Sequence, residues 1–307
     1  MDIEILLTGQ DKDLGGGLIV SRLLPSSQLR SVGPFVFFDH FGPLEVQPGA
    51  NHDVRPHPHI GLATVSYLFD GAMMHRDSLG SAQRIEPGAI NWMIAGRGIV
   101  HSERAPEDLR GKAYGLHGLQ LWVALPAAHE ETAPEFVHTP AGDISVFSQD
   151  GAEVRVLVGE AFGSTSPVKT FANTIYLDIS LAAGARLSLP DLAEELAIYT
   201  VQGDIQVDGQ AFANRTLALL TPGQTVQLGA STPARLVVVG GDRLDAHRIV
   251  WWNFVSSRRE RIVQASADWA AQKMGQVPGE TEFIPLPDRP LPSVDTRASG
   301  ASYPPYL

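Results

Sequence analysis

The sequence predicts an all-β chain made of two similar barrels and one short C-terminal helix. Three observations carry that reading. Short runs rich in β-branched and aromatic residues alternate with Gly, Pro, Asp and Asn. The same strand-and-turn pattern recurs in both halves. One segment near the C-terminus switches to helical periodicity.

The strand-like runs are residues 17–20, 35–38, 63–69 and 119–123 in the first half, then 154–158, 174–179, 198–201, 216–220 and 235–239. Even spacing of short strands suits sandwiches or barrels rather than βαβ units. The internal repeat is weak but readable. Tyr67-Leu68-Phe69-Asp70-Gly71 resembles Tyr199-Thr200-Val201-Gln202-Gly203, and Glu86-Pro87-Gly88-Ala89 resembles Thr221-Pro222-Gly223-Gln224. Each half therefore ends a strand on a turn glycine and follows it with a Pro-Gly turn. A chain of 307 residues accommodates two such units. The boundary is expected between 137 and 151, giving a first barrel over 1–140, a second over 141–255, and a helix and proline-rich tail over 256–307.

From Ser257 to Met274, Ile262, Val263, Ala265, Trp269, Ala270 and Met274 recur near helical spacing, so one amphipathic helix is expected to pack on a barrel. Trp251, Trp252 and Phe254 are expected to anchor it. The basic cluster Arg258-Arg259-Glu260-Arg261 at its start is read as a solvated face. Residues 285–307 are expected to be extended or partly disordered.

Composition bounds the chemistry. With no cysteine, disulfides and thiolate metal sites are excluded, and a metal must be held by nitrogen and oxygen. A net charge of −11 disfavours direct contact with nucleic acid or an anionic membrane. No apolar run approaches the roughly 18 residues of a membrane span. The acidic start lacks the features of a secretory signal, so the cytoplasm is the expected compartment.

Two segments carry ligand chemistry. His57-Pro58-His59 opens a strand-like run, and residues i and i+2 of a strand share a face. His101-Ser102-Glu103 is a second pair of the same kind. If the two strands are neighbours, three imidazoles and a carboxylate converge on one divalent first-row ion, leaving open positions suited to catalysis. Aligning the two Tyr-to-Gly segments sets His57 and His59 against Leu189 and Asp191. Aligning the Pro-Gly turns sets His101 and Glu103 against Leu236 and Val238. The second half has no histidine between His138 and His247, so only the first barrel is expected to bind metal.

These residues resemble the pirin family of the cupin superfamily. The resemblance rests on the His57-Pro58-His59 segment with Gly61 and 64–68, on Pro87-Gly88, on Trp92-Met93, on 95–99 with His101-Ser102-Glu103, and on 118–123 with Leu125-Pro126. It continues more faintly to about Trp252. It implies two double-stranded β-helix (cupin) barrels packed together, with metal in the N-terminal barrel alone, held by His57, His59, His101 and Glu103. Ala63 stands where pirins often have a glutamate that is not one of the four ligands.

The resemblance also implies a quercetin 2,3-dioxygenase-like oxidoreductase, with Fe(II) the expected ion and Ni, Mn, Cu or Zn as alternatives. Its substrates would be dioxygen and a small flavonol-type aromatic. Glu103 would take the proton of the flavonol 3-hydroxyl. A second reading is a metal-binding regulator acting on a protein partner, such as a transcription factor or a metabolic enzyme. A third is a cupin with vestigial or different chemistry, such as an isomerase or a hydrolase. Trp92 and Met93 are the candidate substrate wall. Phe37, Phe38 and Phe41 are read as core rather than pocket mouth, and Arg97 as a turn residue before the second ligand pair. His40, His52 and His75 are read as structural or exposed and close to the site in sequence only. His117, His129, His138 and His247 are read as background.

Overall fold

The computed structural model describes residues 3–14 and 18–291. Gly17, at the start of the first expected strand, and residues 292–307, most of the expected tail, lie outside the described residues. Among the described residues the structure is mostly antiparallel β-sheet, with a single α-helix, Arg259–Ala270.

Contacts divide the chain into two units, and the division departs from the expected contiguous one. One unit comprises Met1–Lys12, Ser21–Asp39 and Thr139–Arg243; the other comprises Asp13–Val20, His40–His138 and the chain from Leu244 on. The N-terminal strand thus belongs with the later barrel, and the C-terminal helix with the earlier one. Sequence order hides this because long-range strand pairing leaves no trace in local periodicity.

In the unit containing Thr139–Arg243, a seven-stranded sheet runs in the order Ile3–Thr8, Thr216–Leu220, Glu195–Gln202, Ala234–Gly241, Thr174–Leu181, Ala152–Val158, Ser145–Gln149. A four-stranded sheet runs Arg186–Leu189, Val226–Gly229, Ile205–Val207, Gln210–Phe212. Period-two patterning is clean here: Leu187 and Leu189 are buried while Arg186 and Ser188 are exposed. The enclosed core is aliphatic apart from Phe212, and includes Leu187, Leu189, Ile198, Ile205, Val207, Leu228, Leu236 and Val238.

The other unit repeats the plan. Its four-stranded sheet runs Val54–His59, Ile99–Arg104, Met73–Asp77, Ala82–Ile85. Its larger sheet begins Glu135–Thr139, Ile90–Ile94, Leu62–Asp70, Tyr114–Ala124. Leu62 to Leu68 are all buried, so both faces of that strand are covered. Phe41 in this unit, and Phe37 and Phe38 in the unit containing Thr139–Arg243, are buried as well, in agreement with the core reading.

The C-terminal hairpin of Ile249–Trp251 and Phe254–Ser256 and the helix pack on the strand ends near Ile60 and Val100. Trp251, Phe254, Ile262, Ala265 and Trp269 pack with Ile60 and Val100. Ile60 bridges to Phe254, and Gly61 turns the chain beside it with φ +68°. A Cβ at Gly61 would stand 2.0 Å from the Val255 carbonyl oxygen, so the close approach requires glycine. The helix stops at Ala270, short of the expected Met274, because Gln272 adopts left-handed geometry with φ +53°. The solvated reading of the basic cluster fails at Arg261, which is 1% exposed. Its Nε pairs with Glu131 at 2.9 Å and its Nη2 donates to the Arg97 carbonyl at 2.6 Å, fixing the turn before His101. No helix among the described residues is long and apolar enough to cross a membrane.

Candidate metal centre

Three histidines meet inside the barrel because two adjacent strands each place alternate residues inward. His101 pairs in register with His57, and Ile99 with His59. Directly paired residues share a face, as do His57 and His59 two residues apart. The rings stand 4.3 Å (His57–His101), 5.0 Å (His57–His59) and 5.1 Å (His59–His101) between centroids. One nitrogen from each lies within 4.8 Å of the other two, and all three residues are buried.

Which nitrogens converge follows from the hydrogen bonds. His57 Nδ1 lies 2.9 Å from the Arg55 carbonyl, and His59 Nδ1 lies 3.0 Å from the Asn253 carbonyl. A carbonyl only accepts, so both Nδ1 atoms carry the proton and both Nε2 lone pairs are free. His101 Nδ1 contacts His75 Nδ1 at 3.4 Å, and its own Nε2 is buried with no hydrogen-bond partner. An orphaned buried imidazole nitrogen is costly unless something ligates it. Burial lowers His57 to about 4, against the raising effect of the Arg55 carbonyl. It also drives His59 and His101 well below the usual histidine value, with neighbouring imidazoles adding to the fall. All three are therefore neutral near pH 7, the form that binds metal. The donor set fits a divalent transition metal.

Glu103 lies two residues beyond His101 on the same strand, past a register irregularity. Its carboxylate is not in the three-histidine group. Burial raises its pKa to about 7.

His75 departs from the expectation that it is near the site in sequence only. It is 3% exposed, touches His101 and stacks on Phe136 with centroids 4.0 Å apart and planes at 7°. Its Nε2 binds Asp77 Oδ2 at 2.8 Å, and Asp77 Oδ1 accepts the backbone N–H groups of Leu79 and Ser81. Burial raises the Asp77 carboxyl, but the His75 and Ser81 hydrogen bonds outweigh it and leave the pKa below the usual value. The spacing His75-Arg76-Asp77 is a third i, i+2 pair on a strand, and that was the signal available in the sequence. His40, by contrast, is buried against His117, with Nε2 atoms 2.8 Å apart.

The register of the larger sheet separates the two residues expected to line the substrate wall. Met93 pairs with Thr64, which pairs with Trp122, and Trp122 stands edge-on to His59 at 5.2 Å. Met93 is therefore on the inner face. Trp92 pairs with Val65, which pairs with Leu121, so it occupies the opposite face. Trp122 was missed because alternation cannot be phased without a contact. The inner face also carries a polar row: Ser66 Oγ donates to Gln120 Oε1 at 2.8 Å, Asn91 lies opposite Ser66, and His138 Nδ1 lies 2.7 Å from Asn91 Oδ1.

The other unit has the same strands without the chemistry. Val226 pairs with Leu189 and Leu228 with Leu187, as Ile99 pairs with His59 and His101 with His57. The counterparts of His57, His59 and His101 are thus Leu187, Leu189 and Leu228. This corrects the repeat alignment, which set His57 and His59 against Leu189 and Asp191 and His101 and Glu103 against Leu236 and Val238. The Pro-Gly turn leads into a different, shorter strand, Val226–Gly229.

Comparison with known proteins follows the same division. Residues 17–123 match the family model described as Pirin, and residues 176–275 match the Pirin C-terminal cupin domain. A pirin-like protein of Caulobacter vibrioides is 42% identical over 93% of this chain and 100% of its own length. Human pirin is 34% identical over 89% of this chain and 93% of its own. The crystal structure of a quercetin 2,3-dioxygenase from Acinetobacter baumannii superposes with a TM-score of 0.88 at 32% identity, covering 95% of this chain and 97% of that one.

Proposed function

This chain belongs to the pirin family, and from that premise we propose that it is a metal-dependent dioxygenase acting on flavonol-type aromatic substrates. The observation that carries the reading is the convergence of three neutral imidazoles with free Nε2 atoms on one buried point. The likeness to the Acinetobacter baumannii quercetin 2,3-dioxygenase supports the choice of substrate class.

His57, His59 and His101 would hold the ion, with Glu103 as the fourth group, and Fe(II) is the ion we propose. A divalent ion held there supplies Lewis acidity toward an enolic oxygen and a redox-active meeting point for two small molecules. Glu103, on the strand of His101, accepts the proton of the flavonol 3-hydroxyl. Trp122 and Met93 give a planar substrate a flat apolar wall, and Trp92 takes no part in it. The Ser66–Gln120 pair and Asn91 offer hydrogen bonds to ring hydroxyls on the same face.

The test is anaerobic loading with Fe(II), Ni(II), Mn(II) or Cu(II), followed by quercetin absorbance, oxygen uptake and carbon monoxide release. Metal-dependent turnover that vanishes in His101→Ala supports the reading. A bound ion with no turnover under any metal overturns it for quercetin and favours a regulatory role through a protein partner.

A further inference from the structure

His101 differs from the other two histidines in how its Nδ1 is held. His57 and His59 each give that proton to a backbone carbonyl, whose role as acceptor is fixed. His101 faces another imidazole, His75, whose two nitrogens can donate or accept. What settles His75 is Asp77. Both Asp77 oxygens already act as acceptors: Oδ1 from Leu79 and Ser81, Oδ2 toward His75 Nε2. His75 Nε2 must then carry the proton, which leaves Nδ1 with its lone pair turned to His101. His101 in turn must protonate Nδ1, which frees Nε2, the buried atom with no partner. Stacking on Phe136 holds the His75 ring plane in place.

We propose that Asp77 and His75 are positioning residues that set the tautomer and ring orientation of His101, so that its Nε2 lone pair points to the metal. The proposal rests on the reading of the three-histidine cluster as a metal site. A second observation, independent of the hydrogen bonds, supports it. In the other unit Val207 pairs with Leu228 as Asp77 pairs with His101, and Ile205 precedes Val207 as His75 precedes Asp77. Ile205 and Val207 are both core residues there. The dyad is thus present where the histidine cluster is present and replaced by aliphatics where the cluster is replaced by leucines. Outer partners of metal-bound histidines act in this way generally, by fixing tautomer and ring orientation.

The experiment uses the full chain and two readouts other than turnover. Long-range proton–nitrogen correlation of the metal-free protein reports the tautomer of each imidazole. Titration with Co(II) against a chromophoric chelator reports affinity. The wild type is expected to show His57, His59 and His101 all protonated at Nδ1. In Asp77→Asn the new amide can donate to His75 Nε2, turning the His75 Nδ1 proton toward His101 and driving the His101 proton onto Nε2. The expected result is a switched His101 tautomer and Co(II) affinity weakened about 10–100-fold, with His57 and His59 unchanged.

His75→Leu should weaken Co(II) binding by a similar factor. His75→Asn keeps an acceptor oxygen near the place of Nδ1 and should recover most of the loss. If Asp77→Asn does not fold, the His75 pair carries the same test. An unaltered His101 tautomer together with unaltered affinity in Asp77→Asn, or in His75→Leu, overturns the proposal. So does a wild-type chain that takes up no Co(II). Failure to turn over quercetin bears on the proposed function alone, because neither readout depends on it.

Discussion

Leu187, Leu189 and Leu228 occupy in one barrel the register positions that His57, His59 and His101 hold in the other. The substitution extends beyond the cluster. Ile205 and Val207 stand for His75 and Asp77. On the larger sheets Ile198 pairs with Ala218 and Val238, as Ser66 pairs with Asn91 and Gln120. The same strand order therefore supports two interiors with opposite physical characters. Each buried leucine contributes roughly 1.5–3 kcal/mol by leaving water. Each buried imidazole nitrogen left without a partner costs about 1–3 kcal/mol until a ligand takes its lone pair. One barrel encloses a mainly aliphatic interior; the other buries three imidazoles whose donor set suits a divalent ion.

The largest expected effect comes from making the first barrel resemble the second. His101→Leu should reduce bound divalent metal from about one per chain to a trace, a loss of more than about 100-fold in affinity, read by metal analysis after gel filtration. The same change should stabilise the metal-free protein by up to about 1–3 kcal/mol, because it removes a buried imidazole nitrogen without a partner, partly offset by the lost contact to His75. Cutting the other core does the reverse. Leu189→Ala or Leu228→Ala should cost about 2–5 kcal/mol in urea unfolding with metal stoichiometry unchanged.

Acidification should also separate the barrels. His57 titrates near 4 when folded and near its ordinary 6.5 when unfolded, so the unfolded chain binds more protons in that window. Stability then rises with pH across it and is lost as pH falls, by roughly 3 kcal/mol for His57 titrated through both values. His59 and His101 act in the same direction. Glu103, raised to about 7, has the opposite sign and favours the folded state as pH falls. Three imidazoles against one carboxyl leave a net loss. Hydrogen exchange in the metal-free protein, corrected for intrinsic rates, should therefore accelerate in Val54–His59 and Ile99–Arg104 between pH 7 and 4. Arg186–Leu189 and Val226–Gly229 should be little affected.

The smallest effect sharpens the substrate wall. Ser66→Ile, copying Ile198, should raise KM for quercetin by about tenfold through loss of roughly 1–2 kcal/mol of hydrogen bonding, with metal retained. Trp92→Phe, on the opposite face, should change KM less than about twofold.

How much of this the sequence revealed depends on the range of the signal. The histidine cluster was legible because strand alternation is local: His57 and His59 declare a shared face wherever the strand goes, and His101 joins them in register, whereas the carboxylate of Glu103, past a register irregularity, is not in the cluster. The two barrels and the helix were legible from repeated turns and a change of period. The phase of the larger sheet is not legible, so the sequence groups Trp92 with Met93 and gives Trp122 no place beside His59. His75 and Asp77 had the same spacing as the ligand pairs but needed the cross-strand partner His101 to acquire meaning. The unit boundaries were hidden for a similar reason. Nothing near Ile3–Thr8 says that it will pair with Thr216–Leu220. The Asn253 carbonyl that orients His59 comes from a hairpin far along the chain.

One barrel is expected to bind a metal through the Nε2 atoms of His57, His59 and His101, and the leucine-filled barrel to bind none. Anomalous diffraction at the absorption edge of the loaded metal tests it directly. One peak per chain is predicted, about 2.0–2.2 Å from the Nε2 atoms of His57, His59 and His101, with no peak among Leu187, Leu189 and Leu228. A peak elsewhere, or none in a crystal soaked to saturation, would contradict it.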